Sequence, residues 1–211
     1  MNYSIDRGLR IGPLKMLQPV LKKWQILNED RSWFNAGDAP WWYNKRTTLS
    51  VFAGAVWRCG GQVLEEFSAK KVTGSKSGKV GHKIGRCDIW FGIGESEFVA
   101  EAKQCWPRLS RSTQNARRKV EASITEARRE VIRVPDWGYR RLGITFAAPL
   151  VHVSKQEAIS QYLRAFILQL LAIKYTTIAW VFPNAARSLR PLSEENAYRD
   201  YIFPGVVVLL H

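Results

Sequence analysis

Gly85-Arg86-Cys87-Asp88-Ile89-Trp90-Phe91-Gly92-Ile93-Gly94-Glu95-Ser96-Glu97-Phe98-Val99-Ala100-Glu101-Ala102-Lys103-Gln104 is the stretch on which the fold of this chain turns. Two short apolar runs, 86–93 and 97–104, flank Gly94-Glu95-Ser96, and such runs about a Gly-containing turn predict a β-hairpin. Side chains alternate across a strand, so Glu101 and Lys103 share a face. Both sit in a run that otherwise reads as buried, where an unpartnered carboxylate or ammonium is costly to desolvate. Asp88 lies in the equally apolar segment Cys87-Asp88-Ile89-Trp90-Phe91. With the turn at 94–96, the hairpin carries Asp88 near the level of Glu101. Two carboxylates and one lysine are then expected to converge on one point.

An acid two residues before a lysine means little alone. With 18 acidic residues and 13 lysines among 211, chance supplies about one match, and Glu101-Ala102-Lys103 is the match present. Its setting on a buried hairpin gives it weight, and the trio suits phosphodiester hydrolysis. Two carboxylates hold Mg²⁺, or Mn²⁺ in its place, through oxygen ligands while leaving waters on the ion. The ion lowers the pKa of a bound water and makes it the nucleophile. Lys103 is expected to orient that water or to stabilise transition-state charge. The competing expectation is that Asp88, Glu101 and Lys103 form a buried ion-pair cluster without chemistry.

Outward from the hairpin, Leu49, Phe52, Ala53, Val56 and Trp57 make one stripe and predict a helix over 47–57. Residues 62–71 read as a strand. After Pro107 a helix runs to about Val134, with Ala116, Val120, Ile124, Ala127 and Val131 on one face. Residues 140–151 read as a buried strand. Ser154 to Glu157 reads as a capping box that opens a helix to Lys174. Strands follow at 177–182 and 205–210. Upstream, residues 13–28 read as a short helix broken at Pro19, and 29–46 as a Trp-rich connector. The order predicts an α/β fold, a mixed central sheet flanked by helices. Residues 1–44 form a short N-terminal helical extension, and 45–211 the main domain.

Gly85-Arg86-Cys87-Asp88-Ile89 followed by Val99-Ala100-Glu101-Ala102-Lys103-Gln104 resembles the active-site hairpin of the PD-(D/E)xK nuclease superfamily. The helix before the first strand and the helix after the Glu-x-Lys strand resemble its common core too. The resemblance spans roughly residues 45 to 150. It implies a restriction-endonuclease-like core and Mg²⁺-dependent endonuclease activity, with Asp88 and Glu101 as metal ligands and Lys103 as the catalytic lysine. Cys87 stands where the motif's name has proline. Many members carry a glutamate on the first core helix, and Lys45 to Cys59 holds no acid. Glu65 or Glu66 on the next strand is the alternative, and alternation sets those two on opposite faces.

The charge balance fits a polyanion. Lys and Arg number 32 against 18 Asp and Glu, a net +14. A surface this basic attracts nucleic acid through counterion release; DNA is the expected partner, although charge alone does not separate it from RNA. The Gly-rich loop before Asp88 offers Lys76, Lys79, Lys83 and Arg86 as phosphate contacts, and the helix after Trp106 offers Arg111, Gln114 and Arg118. Each set also reads as an ordinary solvated face. Trp41-Trp42-Tyr43 reads as a hydrophobic clasp or as a base-stacking cluster. Two other functions compete: a non-catalytic nucleic-acid-binding protein on a degenerate nuclease fold, and a basic protein-interaction module. Three cysteines without a CxxC pair speak against a disulfide framework and a structural zinc site. No apolar run approaches the roughly 20 residues that span a bilayer, and the start lacks a signal-peptide core. A cytoplasmic protein with no membrane partner is expected. Gln161, Tyr162 and the apolar run behind them read as a core helix or a homodimer contact.

Overall fold

In the computed structural model, which describes residues 4–73, 81–110, 112–135, 137–174, 176–191 and 198–211, the chain is built on a seven-stranded mixed sheet. In chain order its elements are β1 (Arg7–Arg10), α1 (Gln18–Asn28), α2 (Arg31–Asn35), α3 (Lys45–Trp57), β2 (Gln62–Thr73), β3 (Gly81–Ile93), β4 (Ser96–Cys105), α4 (Gln114–Val131), β5 (Arg140–Ala147), β6 (Val151–His152), α5 (Ile159–Leu171), β7 (Thr177–Val181), β8 (Tyr201–Ile202) and β9 (Val206–Leu210). The sheet runs β1-β7-β9-β5-β4-β3-β2, and β6 with β8 forms a separate two-stranded ladder. β2, β3 and β4 are an antiparallel meander. α4 then crosses back so that β5 lies parallel to β4, as a parallel pair requires. Among the described residues no helix is long and apolar enough to cross a membrane.

Alternation along the strands splits the apolar residues into two layers. Phe91, Phe98, Ala100, Ile144 and Val208 face α1 and α3, meeting Trp24, Phe52 and Val56. Cys105, Ala147, Val207 and Leu209 face α4 and α5, meeting Val120, Ile124, Leu163 and Phe166. The predicted stripe of α4 is its buried face. α3 starts two residues before its predicted bound, because Asn44 Oδ1 accepts from Arg46 N and Thr47 N and caps it. Gly94 takes φ +57 in the β3–β4 turn, a conformation that favours glycine.

Several expectations are corrected. Pro19 does not break the first helix: it stands in the first turn of α1, where a missing N–H costs nothing. The connector holds α2 and a 3₁₀ turn at Pro40–Trp42. Residues 1–44 are not an appendage, since β1 is the sheet's edge strand beside β7 and α1 supplies the core with Leu21 and Trp24. The Ser154–Glu157 capping box does not form. His152 Nδ1 accepts the Ser154 amide instead, and Lys155 leaves helical geometry before α5 begins.

Candidate active site

β3 and β4 are paired from the turn only as far as Ile89 opposite Ala100. Beyond that point β3 stays with β2, while β4 stays with β5, so the sheet forks. Asp88 stands at the fork. Its Oδ2 accepts from the Ala102 amide at 2.8 Å, which takes the place of a ladder carbonyl. Its Oδ1 accepts from Lys45 Nζ at 2.6 Å, and Lys45 is the first residue of α3. Glu101, one step along β4 from the last pair, is 2 % exposed. Lys71 of β2 brings its Nζ within 2.6 Å of Glu101 Oε1. That contact is an ion pair, and among the described residues Oε1 has no other partner.

The third acid in the neighbourhood is Glu66. The register pairs Glu65 with Ile89 and Phe67 with Cys87, which sets Glu66 level with Asp88. Glu66 has φ +50, uncommon for a side chain of this kind and often found at functional sites. The twist there overrides alternation. Glu65 Oε2 accepts from Ser50 Oγ of α3 at 3.0 Å, and Glu66 ion-pairs with Arg46 of α3 as well as with Arg86. The expectation of opposite faces fails for this reason. Glu66, Asp88 and Glu101 thus lie across three adjacent strands, each with a cation against it.

Electrostatics follow from burial. Glu101 is raised above the ordinary glutamate pKa by desolvation, against the pull of Lys71, and the charges of Asp88 and Glu130 raise it further. Burial, with Glu101 beside it, pushes the Cys87 thiol up to about 12, so it stays protonated at neutral pH. Burial pulls Lys103 down, but hydrogen bonds to Glu130 and Glu126 outweigh it and leave the ammonium raised.

Those two glutamates mark the main departure from the expected trio. Asp88 and Glu101 are brought together. Lys103 shares the face of Glu101, yet its Nζ turns to α4 and meets Glu126 at 2.9 Å and Glu130 at 2.8 Å. Alternation places a side chain on a face and says nothing of which acid on the opposing helix will capture it. Lys45 and Lys71 were not singled out from the sequence. A signal existed for Lys71: it continues the period-two series Phe67, Ala69, Lys71, whose first members pack with Cys87 and Val99.

The expected nucleic-acid contacts divide. Lys76, Lys79 and Arg111 lie outside the described residues. Lys83 is exposed, near the start of β3, and Arg86 is engaged by Glu66. Gln114 and Arg118 are exposed at the start of α4, whereas Lys103 meets that helix at 126–130. At 1.5 Å per residue the twelve positions from 114 to 126 put Gln114 about 18 Å along the helix from Lys103. These two side chains therefore do not flank the carboxylates. Trp41 is fully buried and donates to Phe203 O, so it is a clasp. Tyr43 is exposed and donates to Asp38. The chain matches no family model, no curated protein and no solved structure.

Proposed function

We propose that this chain is a Mg²⁺-dependent nuclease of the PD-(D/E)xK type that hydrolyses phosphodiester bonds in DNA. One observation carries the reading: Asp88 and Glu101, both buried, are neighbours at the fork of the sheet, near enough for the charge of Asp88 to act on Glu101. The order α3-β2-β3-β4-α4-β5, with β5 parallel to β4, supports it, as does the net charge of +14. The donors fit a hard divalent ion, for they are carboxylate oxygens, one of them buried without a hydrogen bond, while Cys87 remains a thiol. Asp88 and Glu101 would hold the ion. Once bound, it supplies neutralisation of phosphate charge and an acidic water. The chain's own residues do the rest. The Ala102 amide fixes the Asp88 carboxylate, and Lys45, on the more open side of the site, draws phosphate toward it.

The experiment is cleavage of linear, circular and single-stranded substrates with Mg²⁺ and with EDTA, using wild type, Asp88→Asn and Glu101→Gln. Both variants are near-isosteric. Each is expected to lose at least about 100-fold in single-turnover rate, as for loss of a preorganised charge, with nucleic-acid binding retained. Cleavage that survives EDTA, or either substitution, overturns the reading.

A second reading has its own observation. Every acid of the site already has a cation, and Lys103 is held by α4. That arrangement favours a non-catalytic nucleic-acid-binding protein on the same scaffold. Salt-sensitive binding with no cleavage of any substrate in Mg²⁺ or Mn²⁺ would establish it.

A further inference from the structure

Glu101 is sealed at 2 % exposure, so whatever reaches it must first move what lies against it. Lys71 lies against it, 2.6 Å from an oxygen with no other partner. An ammonium and a divalent cation both need carboxylate oxygen, and they compete for the same one. Lys71 does not belong to the central strands. It sits two residues before the end of β2, past the fork, where the β2–β3 ribbon has left β4. Next to it, the Val72 amide donates to Arg133 O beyond the end of α4. Past Ile89 the ribbon shares no ladder with β4, so displacing Lys71 there breaks no β4–β5 pairing. Lys103 is placed otherwise, on a central strand between two glutamates of α4.

We propose that Lys71 is the exchangeable counter-ion of Glu101 and the ammonium that serves the reaction centre. A divalent cation entering between Asp88 and Glu101 displaces it, and the freed ammonium, still anchored on β2 beside the ion, binds a phosphate oxygen. Lys103 is the tether of β4 to α4. The inference rests on the metal-site reading above and goes beyond it in naming the lysine and what the ion must displace.

The test uses the full chain at pH 8 and reads Mn²⁺ affinity from the electron paramagnetic resonance of free Mn²⁺, alongside thermal melting. Lys71→Met is expected to tighten Mn²⁺ binding at least tenfold and to enlarge the rise in Tm on adding Mn²⁺. Lys103→Met is expected to lower Tm and to leave Mn²⁺ affinity within twofold. An Mn²⁺ affinity that is unchanged, weaker or undetectable in Lys71→Met overturns the proposal, and so does a tenfold change in Lys103→Met. If Lys71→Met fails to fold, Lys71→Gln, which keeps a polar partner for Glu101, carries the same expectation. With an active wild type, Lys71→Met also loses about 100-fold in single-turnover rate, and a rate within threefold of wild type overturns its part in the reaction. The two readings fail separately. A wild type that cuts nothing, with Mn²⁺ tightened by Lys71→Met, removes the nuclease and keeps the exchange. An active wild type whose Mn²⁺ affinity ignores Lys71 does the opposite.

Discussion

At position 143 the β5 strand carries no side chain, and the His211 ring occupies the place one would take, so that an added Cβ would collide with it. Gly143 pairs with Glu101 in the β4–β5 register, which puts this exchange of glycine for a distant ring beside the site. His211 Nε2 lies 3.1 Å from Thr145 Oγ1. Burial, with Arg128 adding to it, depresses the imidazole pKa from 6.5 to about 3. Below pH 6.5 the unfolded chain takes up a proton there that the folded chain refuses. Stability from this group is therefore complete above 6.5 and is lost as pH falls toward 3, by up to about 1.4 kcal/mol per pH unit. Urea melts from pH 7 to 4 are expected to show a shallower fall for His211→Gln than for wild type. Equal slopes would mean that His211 is protonated in the fold. At this scale the sequence told part of the story. Asp88 and Glu101 were legible because their spacing about one turn leaves little freedom. The partner of Lys103 was not, since Glu126 and Glu130 read as solvated positions until α4 is laid on the sheet.

Among the elements, the fork and the edges matter most. The core from α3 to β5 was readable because each segment carries its own period and its own punctuation. The N-terminal strand was not, because four residues, Arg7 to Arg10, hold too little apolar pattern to announce a strand, and their partner β7 lies near the other end of the chain. Besides its ladder with β7, β1 is held by Gln25, Arg10 and the fit of Gly8. Gln25 Nε2 of α1 donates to Gly8 O and to Trp180 O, bridging β1 and β7. Arg10 donates to the carbonyls of Leu171, Ile173 and Thr176, capping the end of α5. Gly8 leaves room for the Trp180 ring. Deleting residues 1–12 is expected to lower Tm by about 10 °C or more, because several buried polar partners are lost together and each costs about 1–3 kcal/mol. It also bares the β7 edge, which invites association. A truncated chain that melts with wild type and runs as a monomer would restore the independent extension.

For the whole molecule, the excess of 14 positive charges sits on a body whose candidate site is itself acid-rich. On the proposed reading, attraction and chemistry are separated in space: exposed cations would collect the polyanion, and the buried carboxylates would act on it. Binding to duplex DNA is expected to weaken steeply with salt. Each phosphate contact contributes about 0.9 to the slope of log K against log salt. Lys83→Ala, at an exposed position, should reduce that slope by about one unit and do so for all sequences alike. Arg118→Ala, on the far part of α4, should not. A slope indifferent to Lys83 would place the track elsewhere. Composition suggests a polyanionic partner and does not place its path, since a charge total has no direction until the sheet and helices orient it.

The bond from the Ala102 amide to Asp88 Oδ2 makes one carboxylate part of the scaffold as well as of the site. Replacing Asp88 by alanine would strand a buried N–H at the fork, at a cost of about 1–3 kcal/mol, whereas asparagine keeps an acceptor there. Among the described residues Glu101 accepts no backbone bond, and the cation against it is Lys71. The two acids are therefore under different constraints. A variant chain without the proposed activity would still need aspartate or asparagine at 88 to satisfy that amide, whereas position 101 would be bound only by its pairing with Lys71. An intact Asp88 is therefore weak testimony to catalysis, and Glu101 is the acid whose presence speaks for the proposed metal site.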